Sequence, residues 1–137
     1  MLRYLFDTDH LTLFQLGNAA VSRRLAKQPA GAVAISVVTA EESLRGRLAQ
    51  LTRARDGTAR IHCYTQFATT LQSFTQFNII PYDEPVEVWF HRLRSVRIGT
   101  QDLKIASIAL ANQLTLITRN RRDFARVEGL LLEDWSE

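Results

Sequence analysis

A chain of 137 residues with 46% apolar and 23% charged side chains has the balance of one globular domain, too short for two and too apolar for a disordered or fibrous chain. Seventeen Lys and Arg against fourteen Asp and Glu leave a net charge of +3, which draws a polyanion toward the surface but names no partner. The one cysteine, Cys63, excludes an internal disulfide and a thiolate zinc site and is expected as a buried, inert thiol; Met1–Phe6 lacks the length of a secretory leader and no apolar run approaches the roughly 18 residues of a membrane span, so a soluble, cytoplasmic protein with no membrane partner is expected.

Short apolar runs alternate with segments of helical period, which predicts an α/β fold with a parallel sheet and crossover helices on both faces. Leu2–Phe6 is the first strand, and Asp7 follows at once in Leu5-Phe6-Asp7-Thr8-Asp9-His10. Ligands of open α/β sheets gather beyond the carboxyl ends of strands, so this carboxylate is placed for chemistry; Asp7 or Thr8 also suits the N-cap of the next helix. His10 reads more readily as structural than as catalytic. Ala32–Ser36 is the second strand. A helix from about Val38 carries Glu42, behind Glu41, one turn inside and near the sheet edge that Asp7 occupies, where the helix dipole also favours acids.

Farther along, the polar segment Thr52–Thr58 is expected to be an exposed, mobile connection between helices. Ile61, Tyr64, Phe67, Ala68, Leu71, Phe74 and Phe77 recur at three-to-four spacing and predict the apolar face of a long helix, as core or dimer contact. Asn78–Pro81 is the third strand. Pro85 suits the first turn of a helix whose apolar face is Val86, Trp89, Phe90, Leu93 and Val96. Asp102 stands at the mouth of a further helix, built on Leu103, Ile105, Ala106, Ile108, Ala109 and Leu110, with Thr100 the nearer cap. Leu114–Thr118, the fourth strand, runs into the basic turn Arg119-Asn120-Arg121-Arg122-Asp123-Phe124, and Leu130–Leu132 is a short fifth strand.

Three acids, Asp7, Glu42 and Asp102, are thus delivered to helix starts beside strand ends and could converge. Clustered carboxylates repel and raise one another's pKa unless a divalent ion neutralises them. Oxygen ligands suit Mg²⁺, with Mn²⁺ as a substitute, and no His/Cys set with zinc spacing competes.

Phe6-Asp7-Thr8-Asp9, Ile35-Ser36 with Thr39 and Glu42 leading to Gly46, Asp102 with Ile105-Ala106, and Thr118-Arg119-Asn120 with Arg122-Asp123-Phe124 together resemble the ordered signature of PIN-domain toxins of the VapC type. The closing Val127-Glu128-Gly129-Leu130 and Glu133-Asp134-Trp135 are similar too, so the resemblance runs from Phe6 to Trp135. It implies a three-layer α/β/α PIN fold, one domain over residues 1–137 with a short twisted parallel sheet of about five strands. It also implies a Mg²⁺-dependent endoribonuclease, the toxin of a type II toxin–antitoxin module, which hydrolyses RNA phosphodiester bonds with metal-activated water.

Asp7, Glu42 and Asp102 fall on the family's metal-binding acids. Asn120 stands where many members carry a fourth aspartate, leaving Asp9 or Asp123 to supply that charge, and Thr118 or Asn120 to position a ligand water. Arg45, Arg47, Lys104, Arg119, Arg121 and Arg122 border the acidic edge and suit RNA phosphates, with Thr118 beside them. An antitoxin whose tail fills the acidic groove and a homodimer are further implications. Two alternatives stay open: a PIN-fold binding module without turnover, and a haloacid-dehalogenase-like phosphatase with Asp7 as nucleophile, which leaves Glu42 and Asp102 without a role.

Overall fold

The protein is described here by a computed structural model covering residues 1–137. Its strands, β1 (Tyr4–Phe6), β2 (Val33–Ser36), β3 (Asn78–Ile80), β4 (Thr115–Ile117) and β5 (Leu132–Glu133), form one sheet in the order β3-β2-β1-β4-β5, parallel throughout. Seven helices connect them: α1 (Thr8–Gln15), α2 (Ala19–Ala26), α3 (Val37–Arg53), α4 (Gly57–Ser73), α5 (Glu84–Arg92), α6 (Thr100–Ala111) and α7 (Arg121–Phe124). The expected α/β/α layering is present, and no helix is long and apolar enough to cross a membrane.

Successive side chains of a strand point to opposite faces, so β1 feeds two cores. Tyr4 and Phe6 pack with Leu11, Val21, Ile35 and Trp135 on the α1–α2 side, while Leu5 packs with Val86, Ile105, Ile108 and Leu116 on the α5–α6 side. Burial on both faces explains why the strands read as continuous apolar runs rather than as alternating ones. The buried Ala106 and Ala109 of α6 carry little bulk to hold the helix off the sheet.

The sheet also fixes where a site can form. From β1 the chain moves to β2 and β3 on one side, then crosses to β4 and β5 on the other, so the strand order reverses at β1. A crevice opens at such a reversal, beyond the carboxyl ends of the strands. Phe6 is in register with Ile35 and with Ile117, which brings the next residues of three strands, Asp7, Ser36 and Thr118, to one edge.

All five expected strands occur, the last displaced by two residues to Leu132–Glu133. The two short helices α2 and α7, of eight and four residues, are not among the expected elements, being only about two turns and one turn long. Helix α4 ends at Ser73, and Phe74–Gln76 is a 3-10 turn that delivers Phe77 to the core. Of the rest of the aromatic face, Phe74 packs against the core while Ile61, Tyr64 and Leu71 are exposed in the single chain, which leaves them to the dimer-contact half of the expectation. Helix α4 packs against α3 and is fastened to it by polar groups: Arg47 donates across to Thr70 and Gln66, and within α3 to Gln50. The connection between these helices is Ala54–Asp56, shorter than the Thr52–Thr58 segment, because α3 runs on to Arg53 and Asp56 caps α4. Cys63 is half-buried rather than enclosed, its thiol beside the Gln50 carbonyl. Thr100 is the first residue of α6, not its cap; Gly99 holds the cap position and makes no side-chain bond there.

Candidate metal centre

Each acid reaches the sheet edge by a local rule. Asp7 leaves β1 in an extended conformation and caps α1, its Oδ1 accepting from the His10 backbone N–H at 2.8 Å. Capping and a place at the site are therefore compatible. Ser36 does the same for α3 by accepting from the Thr39 N–H, and the helix then carries Glu42 inward. Asp102 lies in the first turn of α6, where the unsatisfied N–H groups favour an acid. Asn120 caps α7: its Oδ1 accepts from the Asp123 N–H, and its Nδ2 donates to the Asp123 carboxylate at 3.1 Å.

These side chains meet on a solvent-open cleft of about 420 Å³ lined by Asp7, Thr8, Asp9, Glu42, Asp102, Arg119, Asn120 and Phe124. Burial raises the Asp102 pKa from 3.8 to about 6, and the negative charges of Glu42, Asp7 and Asp123 push in the same direction. None of the chain's ion pairs engages Glu42 or Asp102. The nearest cation, Arg119, is spent on Asp9, which it clamps through two bonds of 2.7 and 2.9 Å. Negative charge is therefore concentrated and only partly compensated, and the donors are carboxylate and amide oxygens. That set fits a hard divalent cation better than zinc.

Ligand atoms of Asp7, Asp9 and His10 all lie within 4.8 Å of one another, one atom from each. Asp7, Glu42 and Asp102 line the same cleft but are not a set at that spacing. Two participants escape a reading by residue type. The Thr8 hydroxyl donates to Glu42 Oε1 at 2.5 Å and lies 3.1 Å from the Thr39 hydroxyl, so it aims the Glu42 carboxylate. His10 is fully buried directly behind Asp7. The only sequence signal for either was adjacency to Asp7.

Of the basic residues singled out, Arg119 lines the cleft and Arg121 and Arg122 lie exposed beside it on α7. Arg45 points to solvent and pairs with Glu41, and Lys104 lines a neighbouring groove with Tyr82 and Phe90 while donating to Gln101. Thr118 is wholly buried, and its hydroxyl accepts from the Asn120 N–H at 2.9 Å, which fixes the turn that presents Asn120. Asp123 touches Asn120 and adds to the charge felt by Asp102, whereas Asp9 is neutralised by Arg119.

The PIN domain family model matches residues 6–130. The chain belongs to the PIN-domain family. That membership sets aside the phosphatase alternative, since a PIN domain gives Glu42 and Asp102 places on one cleft. Among curated relatives, Ribonuclease VapC2 of Rickettsia felis is 33% identical over 69 residues, covering 46% of this PIN chain and 52% of that protein, so the match spans about half the relative's length. The tRNA(fMet)-specific endonuclease VapC of Shigella flexneri is 26% identical across 99% of this chain and 100% of its own. Among solved structures, VapBC2 from Rickettsia felis bound to a DNA fragment from its promoter superimposes with a TM-score of 0.78 at 25% identity, covering 98% of this chain and 99% of that one.

Proposed function

We propose that this PIN domain, over residues 1–137, is the ribonuclease toxin of a VapBC-type toxin–antitoxin pair, which cleaves RNA phosphodiester bonds in the cytoplasm with Mg²⁺ or, in its place, Mn²⁺. The observation that carries this reading is the gathering of Asp7, Glu42 and Asp102 on one open cleft, where Glu42 and Asp102 have no ion-pair partner in the chain. The ribonuclease and endonuclease names of the two relatives support it.

Asp7 and Asp102 would hold the ion, with Glu42 beside them. Once bound, a divalent ion offsets phosphate charge and acidifies a coordinated water. Glu42 has Oε1 occupied by the Thr8 hydroxyl, so its other oxygen is the one that orients the attacking water and takes its proton. Asn120, held by Thr118 and Asp123, offers an amide where a fourth acid is usual, and Asp123 supplies the nearby charge. Arg119, Arg121 and Arg122 form the rim that meets RNA phosphates, with Arg45 and Lys104 farther out. Thr118 acts through the turn it braces. Phosphate contacts carry little sequence information, so the target RNA is selected by shape and exposed bases.

The partners of this reading are an antitoxin, whose cationic side chain suits the acidic cleft, and a second copy of the chain as a homodimer. The VapBC complex of the Rickettsia structure supports the antitoxin. One observation favours a binding-only module instead: the Asn120 amide is already committed to Asp123.

Purified protein incubated with structured RNA and with a small phosphomonoester, in Mg²⁺ and in EDTA, separates these readings. RNA cleavage that needs the metal and is lost in Asp7→Asn is the expected result. Phosphomonoester release overturns the nuclease, and RNA binding without cleavage favours the silent module. Removing the brace on Glu42 gives a graded check: Thr8→Val is expected to lower kcat roughly 10-fold with KM little changed, since groups that orient a metal site typically cost 10- to 100-fold when lost. Steady-state kinetics on one RNA read both numbers.

A further inference from the structure

We infer that His10 is a positioning residue for Asp7, and that the backbone N–H of Trp135, near the chain's C-terminal end, selects the imidazole tautomer that makes it so. The inference rests on the reading of Asp7 as a metal-holding acid. His10 has no solvent exposure, so any partner of its ring nitrogens lies within the protein. Nε2 lies 3.2 Å from the Trp135 N–H. A backbone N–H only donates, so Nε2 is the acceptor and the ring proton sits on Nδ1.

That proton faces Asp7. Nδ1 lies 3.4 Å from Asp7 Oδ1 and is the one buried side-chain polar atom of the chain without a hydrogen-bond partner. The opposite tautomer would set the Nδ1 lone pair against a carboxylate oxygen and an Nε2–H against the Trp135 N–H. Its only compensation would be Asp134 Oδ1, 3.5 Å away. The same assignment answers a question raised by geometry alone. His10 groups with Asp7 and Asp9 at ligand spacing, yet a nitrogen that carries a proton cannot bind a metal, so His10 stands behind the site and is not a ligand in it.

Asp7 Oδ1 thus accepts from the His10 backbone N–H at 2.8 Å, and the ring Nδ1 stands 3.4 Å from the same oxygen without completing a hydrogen bond. The other oxygen is left to the cleft that Asp7 lines. Carboxylates that hold metals depend on such outer bonds to fix their orientation. Trp135 anchors the arrangement: its indole is wholly buried against Tyr4 and Phe6, so its backbone N–H has little freedom to leave the imidazole. Trp135 also lies outside residues 6–130, the part matched by the family model.

Long-range 1H–15N correlation spectra of the wild-type protein test the tautomer, His10 being distinguished from His62 and His91 by its absence in His10→Asn. Nδ1 should carry the proton and Nε2 should not. Mn²⁺ titration then tests the consequence, with thermal melts to verify folding. His10→Leu should bind Mn²⁺ about 10- to 100-fold more weakly. His10→Asn, whose amide nitrogen occupies the place of Nδ1, should stay near wild type. A wild-type protein that binds no Mn²⁺ overturns the metal reading itself. Wild-type binding accompanied by a proton on Nε2, or by undiminished affinity in folded His10→Leu, overturns the role of His10 alone.

Discussion

Asp102→Asn is expected to reduce RNA cleavage about 1,000-fold while making the metal-free protein more stable at pH 7.5. The loss follows from removing an acid that would hold the ion, a contribution of several kcal/mol to charge stabilisation at about 1.4 kcal/mol per tenfold in rate. The gain follows from the repulsion in the cleft. An acid whose folded pKa exceeds its unfolded value binds more protons when folded, so stability declines as pH climbs from 3.8 to about 6 and stays low above that. The rise corresponds to at most about 3 kcal/mol, and water reaching a half-exposed carboxylate reduces this to about 1–2 kcal/mol. An amide at position 102 removes that penalty. Melts in EDTA should place the variant roughly 3–8 °C above wild type at pH 7.5, with the gap closing toward pH 4. Mg²⁺ should then raise the wild type and not the variant. A variant that melts lower than wild type, or a gap unchanged across that pH range, would remove the repulsion from the account.

How much of this was legible in the sequence divides along physical lines. Strands buried on both faces announce themselves as short apolar runs, and β1 to β4 lie within the expected segments. The acids were legible for a related reason: a strand end followed by a helix start confines the residue between them, so Asp7 could be assigned to an edge before any coordinates, whereas Asp102, in the first turn of a helix that follows another helix, could be assigned only to a helix start. What was hidden depends on contacts between distant segments. The bond from Thr8 to Glu42 joins residues 34 apart, and that from Trp135 to His10 joins residues 125 apart; neither leaves a periodic trace. The aromatic face of α4 was legible only in part for the converse reason, because apolar spacing records a helix and a face but not what covers it. Ile61 and Tyr64 satisfy the period and remain in solvent. Asn120 was read for its own chemistry, whereas its amide is engaged in holding Asp123.

Trp135→Ala is expected to be among the most destabilising single changes in the chain, costing about 3–5 kcal/mol. Few residues so near an end of the chain are so thoroughly engaged. The indole is fully buried, meets Tyr4 and Phe6 edge-on at 5.0 and 5.5 Å, donates from Nε1 to Glu133, and lies beneath the Arg24 guanidinium. Truncation to alanine opens a cavity against β1, the central strand, whose Phe6 belongs to the same cluster, and little can collapse into it without moving the sheet. A melting temperature lower by roughly 10–15 °C is expected, together with loss of the blue-shifted emission of a buried indole. Trp89 supplies the control: it is only partly buried on α5 beside Arg92, so Trp89→Ala should cost much less. Equal losses for the two tryptophans would mean that the segment after β5 does not pack on the sheet in solution as it does here. Because β1 leads directly into Asp7, the same truncation should weaken Mn²⁺ binding even at temperatures where the variant is folded, which links the packing of this segment to the acid that lines the cleft.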